Sequence, residues 1–153
     1  MRNIITLILS ASALALVGCS GLAPSTTEKS SIESVFTQRA KIEKEQFGSL
    51  SGERVAELMA IDVRSCPRDF RSAWFDYLVA VRTLHTRVER VAGIASAVGK
   101  PVSNLASLIQ FTAASPELGQ YLLIELGKVD DTWAKVERAG MEYGAMPRVS
   151  VKP

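Results

Sequence analysis

The chain has 153 residues, with 18 Lys and Arg against 16 Asp and Glu, two Cys and one His. That length holds one domain with a core of its own. The near-balance of charge argues against a nucleic-acid binder, which would show a basic excess or patch, and equally against a polybasic lipid-binding role. No CxxC or CxxH spacing occurs and His85 stands alone, so a zinc site built on Cys and His is excluded.

The first element in chain order is a leader. Arg2 supplies a positive start, and Ile4 to Val17 is apolar apart from Thr6, Ser10 and Ser12. As a helix that run spans ~21 Å, short of the ~30 Å hydrocarbon core, which makes it a secretory signal rather than a membrane span. It ends on Leu16-Val17-Gly18-Cys19. This sequence resembles the lipobox of bacterial lipoprotein precursors. In that family the Cys thiol receives a diacylglyceryl group, the chain is cut before the Cys, and the new amino group is acylated. The resemblance implies that Cys19 is the lipidation site and the first mature residue. Two or three acyl chains hold a protein durably, where one holds it only marginally. Ser20 stands where an Asp would retain an enteric lipoprotein in the inner membrane. The resemblance therefore implies delivery to the outer membrane, facing the periplasm.

Gly21 to Lys29 is rich in Ser, Thr and Pro and reads as a flexible tether. The expected organisation is a signal peptide over 1–18, Cys19 and tether over 19–29, a helical domain over 30–144, and a tail over 145–153. Ser30-Ser31-Ile32-Glu33 fits an S-x-x-E capping box and predicts a first helix to about Phe47, with its mixed charges from Arg39 to Gln46 on a solvated face. Ser51-Gly52-Glu53 starts a short second helix with Val55, Leu58 and Met59 inward. Cys66-Pro67 opens a third, with Cys66 as N-cap and Pro67 in the first turn. Phe70, Trp74, Tyr77, Val81, Leu84, Val88, Val91 and Ala95 recur at helical spacing, the strongest periodic signal in the chain. "AWFDYLVAV" is apolar on most sides and predicts a segment buried all round.

Ser103 to Ala114 predicts a short apolar helix. Ser115-Pro116-Glu117 restarts the chain as cap, first-position Pro and first-turn acid. In the last helix Leu122, Val129, Val136 and Tyr143 interleave with Leu126, Trp133 and Gly140 like an a/d seam. Gly119, Gly127 and Gly140 permit close helix contact or mark a bend. No segment carries a strand period of useful length. The expected fold is an all-α bundle of four to five helices. Arg64 to Arg90 is net basic and Glu117 to Glu142 net acidic, which predicts antiparallel packing flanked by ion pairs; a bipolar, partner-selecting surface is the alternative.

The candidates for chemistry are few. Cys66 and His85 on one unbroken helix would be ~28 Å apart, against the ~3 Å that proton transfer needs. Cys66 alone is the candidate reactive thiol: a helix start and nearby Arg64 and Arg68 favour thiolate, whereas apolar burial favours a neutral thiol, the state expected here. His85 with Glu89, Glu53 with Glu57, and adjacent Asp130 and Asp131 match no metal or acid–base arrangement, and His85 reads as a core or boundary residue. Trp74, Phe75, Tyr77, Tyr121, Trp133 and Tyr143 read as core. No catalytic residue, metal or cofactor is expected, and the chain is not expected to be an enzyme. The expectation is a membrane-anchored helical protein that binds an envelope protein, as adaptor, inhibitor or assembly subunit. The alternative is a small-ligand or cell-wall-fragment binder with a pocket in the bundle lined by Trp74, Trp133 and inward Arg.

Overall fold

A computed structural model of the chain describes residues 25–45 and 52–147. The expected leader, Cys19 and the last residues of the expected tail lie outside the described residues. Five helices and no strand occur among those described: α1 (Thr26–Glu45), α2 (Gly52–Met59), α3 (Arg68–Ala97), α4 (Leu105–Ala113) and α5 (Pro116–Glu142). The fold is a small all-α bundle.

α1 starts earlier than the sequence suggests. Ser25 Oγ accepts from the Glu28 N–H at 3.2 Å, and the Glu28 carboxylate accepts from the Ser25 N–H at 3.1 Å. This reciprocal pair is a capping box. The chain holds two S-x-x-E sequences five residues apart, and the first one caps. Ser30 and Ser31 instead lie within the helix and donate their hydroxyls to the Thr27 carbonyl. Thr26 to Lys29, expected in the tether, are therefore helical. α3 differs by one residue: Pro67, with ψ of 155°, is the cap, and its carbonyl accepts from the Arg71 N–H at 2.9 Å.

α3 and α5 pack antiparallel along their lengths, joined at three levels. The Tyr143 hydroxyl donates to Asp69 at 3.1 Å, Tyr77 lies 5.2 Å from Trp133 between ring centroids, and Arg87 lies over Tyr121. The ion pairs expected to flank this seam do not occur among the described residues. The charged side chains that pair do so within a helix, as Lys128 with Glu125, between α1 and α2, or in the connection to α3, as Arg64 with Asp62.

α1 covers the seam at one end. Ile32, Val35 and Phe36 are buried there, and Phe36 meets Phe70 and Trp133 edge to face at 5.8 and 5.7 Å. The approach requires Gly140: a Cβ at that position would lie 2.7 Å from Phe36 Cζ. Of the alternatives open to the glycines, Gly140 serves close contact. Leu58 from α2, and Ile61, Val63 and Cys66 from the connection to α3, close the same core around Phe70, Trp74 and Tyr77. Each large side chain fully buried there contributes ~1.5–3 kcal/mol. Ala145, placed in the tail by the sequence reading, is buried in this core. It is reached because Gly144 takes φ +69° and lets the Ala145 N–H donate to the Gly140 carbonyl, a Schellman closure.

Three burial expectations fail. The middle of α3 is not buried all round: Phe75 is 57% and Val79 66% exposed, on the face turned away from α1 and α5. Met59 is exposed, one step round the helix from buried Leu58. Leu126, expected in the α5 seam, is exposed as well. In each case the element has one covered face, and the sequence offered more apolar residues than that face could hold.

Candidate functional site

Two features of the bundle stand out from simple core packing. The first is a polar joint where α1, α2, α3 and α5 meet. Arg39, on the helix read as a solvated charged face, keeps only 18% of its side chain exposed. Its guanidinium carbon lies 3.5 Å from the Trp133 ring centroid, and its Nε donates to the Tyr77 hydroxyl at 3.1 Å. Glu43 accepts from Arg39 at 2.6 Å and from Arg54 of α2 at 3.2 Å. The Trp133 indole N–H donates to Glu137 at 2.7 Å. Burial pushes the Tyr77 hydroxyl pKa up, and the Arg39 charge opposes that shift. A guanidinium stacked on an indole and paired with a carboxylate is a strong fastener. It presents no free nucleophile or base. The one sequence signal for it was the i, i+4 spacing of Arg39 and Glu43.

The residues singled out from the sequence are not brought together. Cys66 is 4% exposed, and burial pushes its thiol up to about 11, helped by the nearby Asp62 charge and opposed by Arg71. Arg64, expected to favour thiolate, is turned to Asp62, which accepts from its backbone N–H and its guanidinium. Those bonds hold the exposed Asp62 carboxyl at about 2. α3 is unbroken from Arg68 to Ala97, so Cys66 and His85 are separated by five turns of helix. His85 Nδ1 lies 3.5 Å from Glu89, and the ring packs against Gly52 at the start of α2. Asp130 and Asp131 are exposed. No group of three or more His, Cys, Asp or Glu side chains able to hold a metal ion occurs among the described residues. Cys19 lies outside them.

The second feature is the arm beyond the polar joint, made of α3 from Leu84 onward, α4, and the first half of α5. α4 is fixed by an Asn104–Ser107 capping box, and Leu108 on α4 and Val91 and Ala95 on α3 are buried. Other aliphatic side chains of the arm are open. Leu123 is 68% exposed, and Val98, Ile109, Ile124 and Leu126 are exposed too. The sequence showed α4 and α5 as apolar but not which side chains would lack cover. Depressions of about 300 Å³ among the described residues include one lined by Gln38, Ile42 and Ile61 and another lined by Pro101, Gln110 and Phe111. Neither involves Trp74 or Trp133, which are packed against Tyr77. No described helix is long and apolar enough to cross a membrane. Compared with family models, curated proteins and solved structures, the chain matches none of them.

Proposed function

We propose that the chain is a lipid-anchored helical protein on the periplasmic face of the outer membrane, and that it acts by binding another envelope protein as adaptor, inhibitor or assembly subunit. The anchor rests on the Leu16-Val17-Gly18-Cys19 sequence. The binding role rests on one observation, the exposed aliphatic side chains of the arm. Isolated exposed apolar residues are ordinary, but several on one part of a small protein mark an interaction surface. The ligand-pocket alternative draws no support from the packing of Trp74 and Trp133.

Two measurements test the two halves of this reading. Metabolic labelling with a fatty-acid analogue should mark the native chain and leave Cys19→Ser unmarked; equal labelling removes the anchor. A photoreactive residue at Leu123 or Ile124 should give one discrete crosslinked adduct in intact cells, while the same residue at exposed Glu53 gives none. Identical patterns from all three positions would remove the arm as the binding surface.

A further inference from the structure

We infer that the end of the bundle formed by the first turns of α1 and α3 and the last turn of α5 rests on the phospholipid surface that holds Cys19, and that the arm points away from it. The inference rests on the lipid-anchored reading above. Ser25, which caps α1, is six residues from Cys19. Whatever path those residues take, they span at most ~21 Å at ~3.5 Å each. The start of α1 is therefore held close to the membrane, and it shares its end of the molecule with two other helix termini. Tyr143 bonds to Asp69 there, the Glu28 charge acts on the Tyr143 hydroxyl, and Ile32 and Phe36 pack on Gly140.

α3 has 30 residues and is ~45 Å long. Val98 and Ile109 lie at its far end, beyond the reach of the bilayer unless the molecule lies flat. The near end carries its own apolar contacts. Met146 is 69% and Met141 48% exposed, and both flank the buried Ala145. Arg68 is exposed at the start of α3, next in sequence to the Asp69 that bonds to Tyr143. Methionine side chains adapt to irregular apolar surroundings, and an arginine at the same end of the bundle suits a phospholipid headgroup. Such contacts are weak alone, but a tether of this length supplies a high local concentration of lipid surface. The other apolar stripe, Phe75 and Val79, is less suited. It faces away from α1, so the tether would have to pass round the end of α3 to lay that face on the membrane. In the upright arrangement the arm meets its partner some 45 Å from the lipid, in a part of the partner that projects from the membrane or is not embedded in it.

The test uses the full lipidated chain in phosphatidylethanolamine–phosphatidylglycerol vesicles that contain a lipid with a spin-labelled headgroup. Fluorophores are placed singly at Met146→Cys, Val79→Cys and Val98→Cys in a Cys66→Ala background; all three positions are exposed, so the labels do not enter the core. The expected result is loss of fluorescence at position 146 and none at 98. Loss at 98 equal to that at 146, the largest loss at 79, or no loss at any position overturns the upright arrangement while leaving the anchor intact, provided that the chain floats with the vesicles and Cys19→Ser does not. If the native chain does not float with them, the anchor fails and the orientation fails with it.

Discussion

Tyr77 and Leu84 are two turns apart on the same helix, on the same side, yet Tyr77 is 1% exposed and Leu84 only half-buried. Both face α5. What separates them is the third helix. α1 lies over Tyr77 through Arg39 and contributes Phe36 to the core one level below. α2 starts at the level of His85 and runs back to bury Leu58 in the same core. Two antiparallel helices bury only the stripe between them, and a third is needed to bury their shared groove. The near end of the molecule has that third helix. The arm has α4, which is nine residues long and covers part of it. The same α3–α5 pair thus forms a closed core at one end and an open surface at the other.

The sharpest way to probe that difference is to remove volume from the closed end. Trp74 is fully buried, and its indole N–H has no hydrogen-bond partner among the described residues. Its contribution is therefore packing alone. Trp74→Ala should cost ~3–5 kcal/mol, read as a lowered denaturation midpoint. A midpoint equal to the native one would mean that the closed end is no better packed than the arm.

Adding volume should distinguish the two regions by sign. A Cβ at position 140 would lie 2.7 Å from Phe36, whose ring is held between Phe70 and Trp133. Gly140→Ala should therefore destabilise by ~1–3 kcal/mol. At Gly127, in the α5 half that belongs to the arm, a Cβ meets nothing within 4 Å. Gly127→Ala should raise stability by ~0.5–1 kcal/mol, because alanine loses less backbone freedom in a helix. Equal effects from the two substitutions would break the comparison.

The helices themselves were legible in the sequence because their signals are local. The Phe70–Ala95 stripe and the Ser115-Pro116 start each state a periodicity or a cap that needs no tertiary partner. The two S-x-x-E boxes show where that runs out, since both are adequate as sequence and the first one caps. Exposure was less legible. Phe75 and Val79 extend the apolar run of α3 without revealing that, among the described residues, no layer covers them. Arg39 sits in a stretch of mixed charge, and nothing local announces that Trp133, nearly a hundred residues on, supplies its stacking face. The arm escaped for the same reason: apolar content fixes how much surface a helix could bury, while cover depends on the length of its neighbours.

Cys66 reports on the closed end by chemistry rather than by volume. Its thiol is pushed from 9.0 to about 11 in the folded chain, mainly by burial. A folded pKa above the unfolded one means that the folded state keeps its proton while the unfolded state loses it. The stability from this group is complete below about pH 9 and falls as pH rises towards 11. Native protein should react slowly with a thiol reagent at neutral pH and fully after denaturation, and should run as a monomer without reductant. A thiol introduced on the arm by Val98→Cys should react at once. Rapid labelling of native Cys66, or a reducible dimer, would show that the closed end opens and would make this thiol a site to pursue.

The smallest expected effect on stability is the one that bears most on function. Leu123 and Ile124 are exposed, and adjacent positions on a helix point in different directions, so neither contributes much to the packing of α5 on α3. Glutamine has nearly the helix propensity of leucine and keeps a similar length. Leu123→Gln with Ile124→Gln should therefore leave the denaturation midpoint within ~0.5 kcal/mol of native. Binding responds to a different quantity. Aliphatic side chains desolvated in a complex contribute roughly 25 cal/mol per Å² of apolar area, and a polar amide in their place must be stripped of water without a partner to replace it. The double variant should thus lose the adduct that a photoreactive residue at nearby Ile109 forms in intact cells, while keeping its fold, its abundance and its lipid. A retained adduct would show that these side chains are exposed without being used. A large fall in stability would show that the arm is closed after all, and that the contrast between Tyr77 and Leu84 is one of degree.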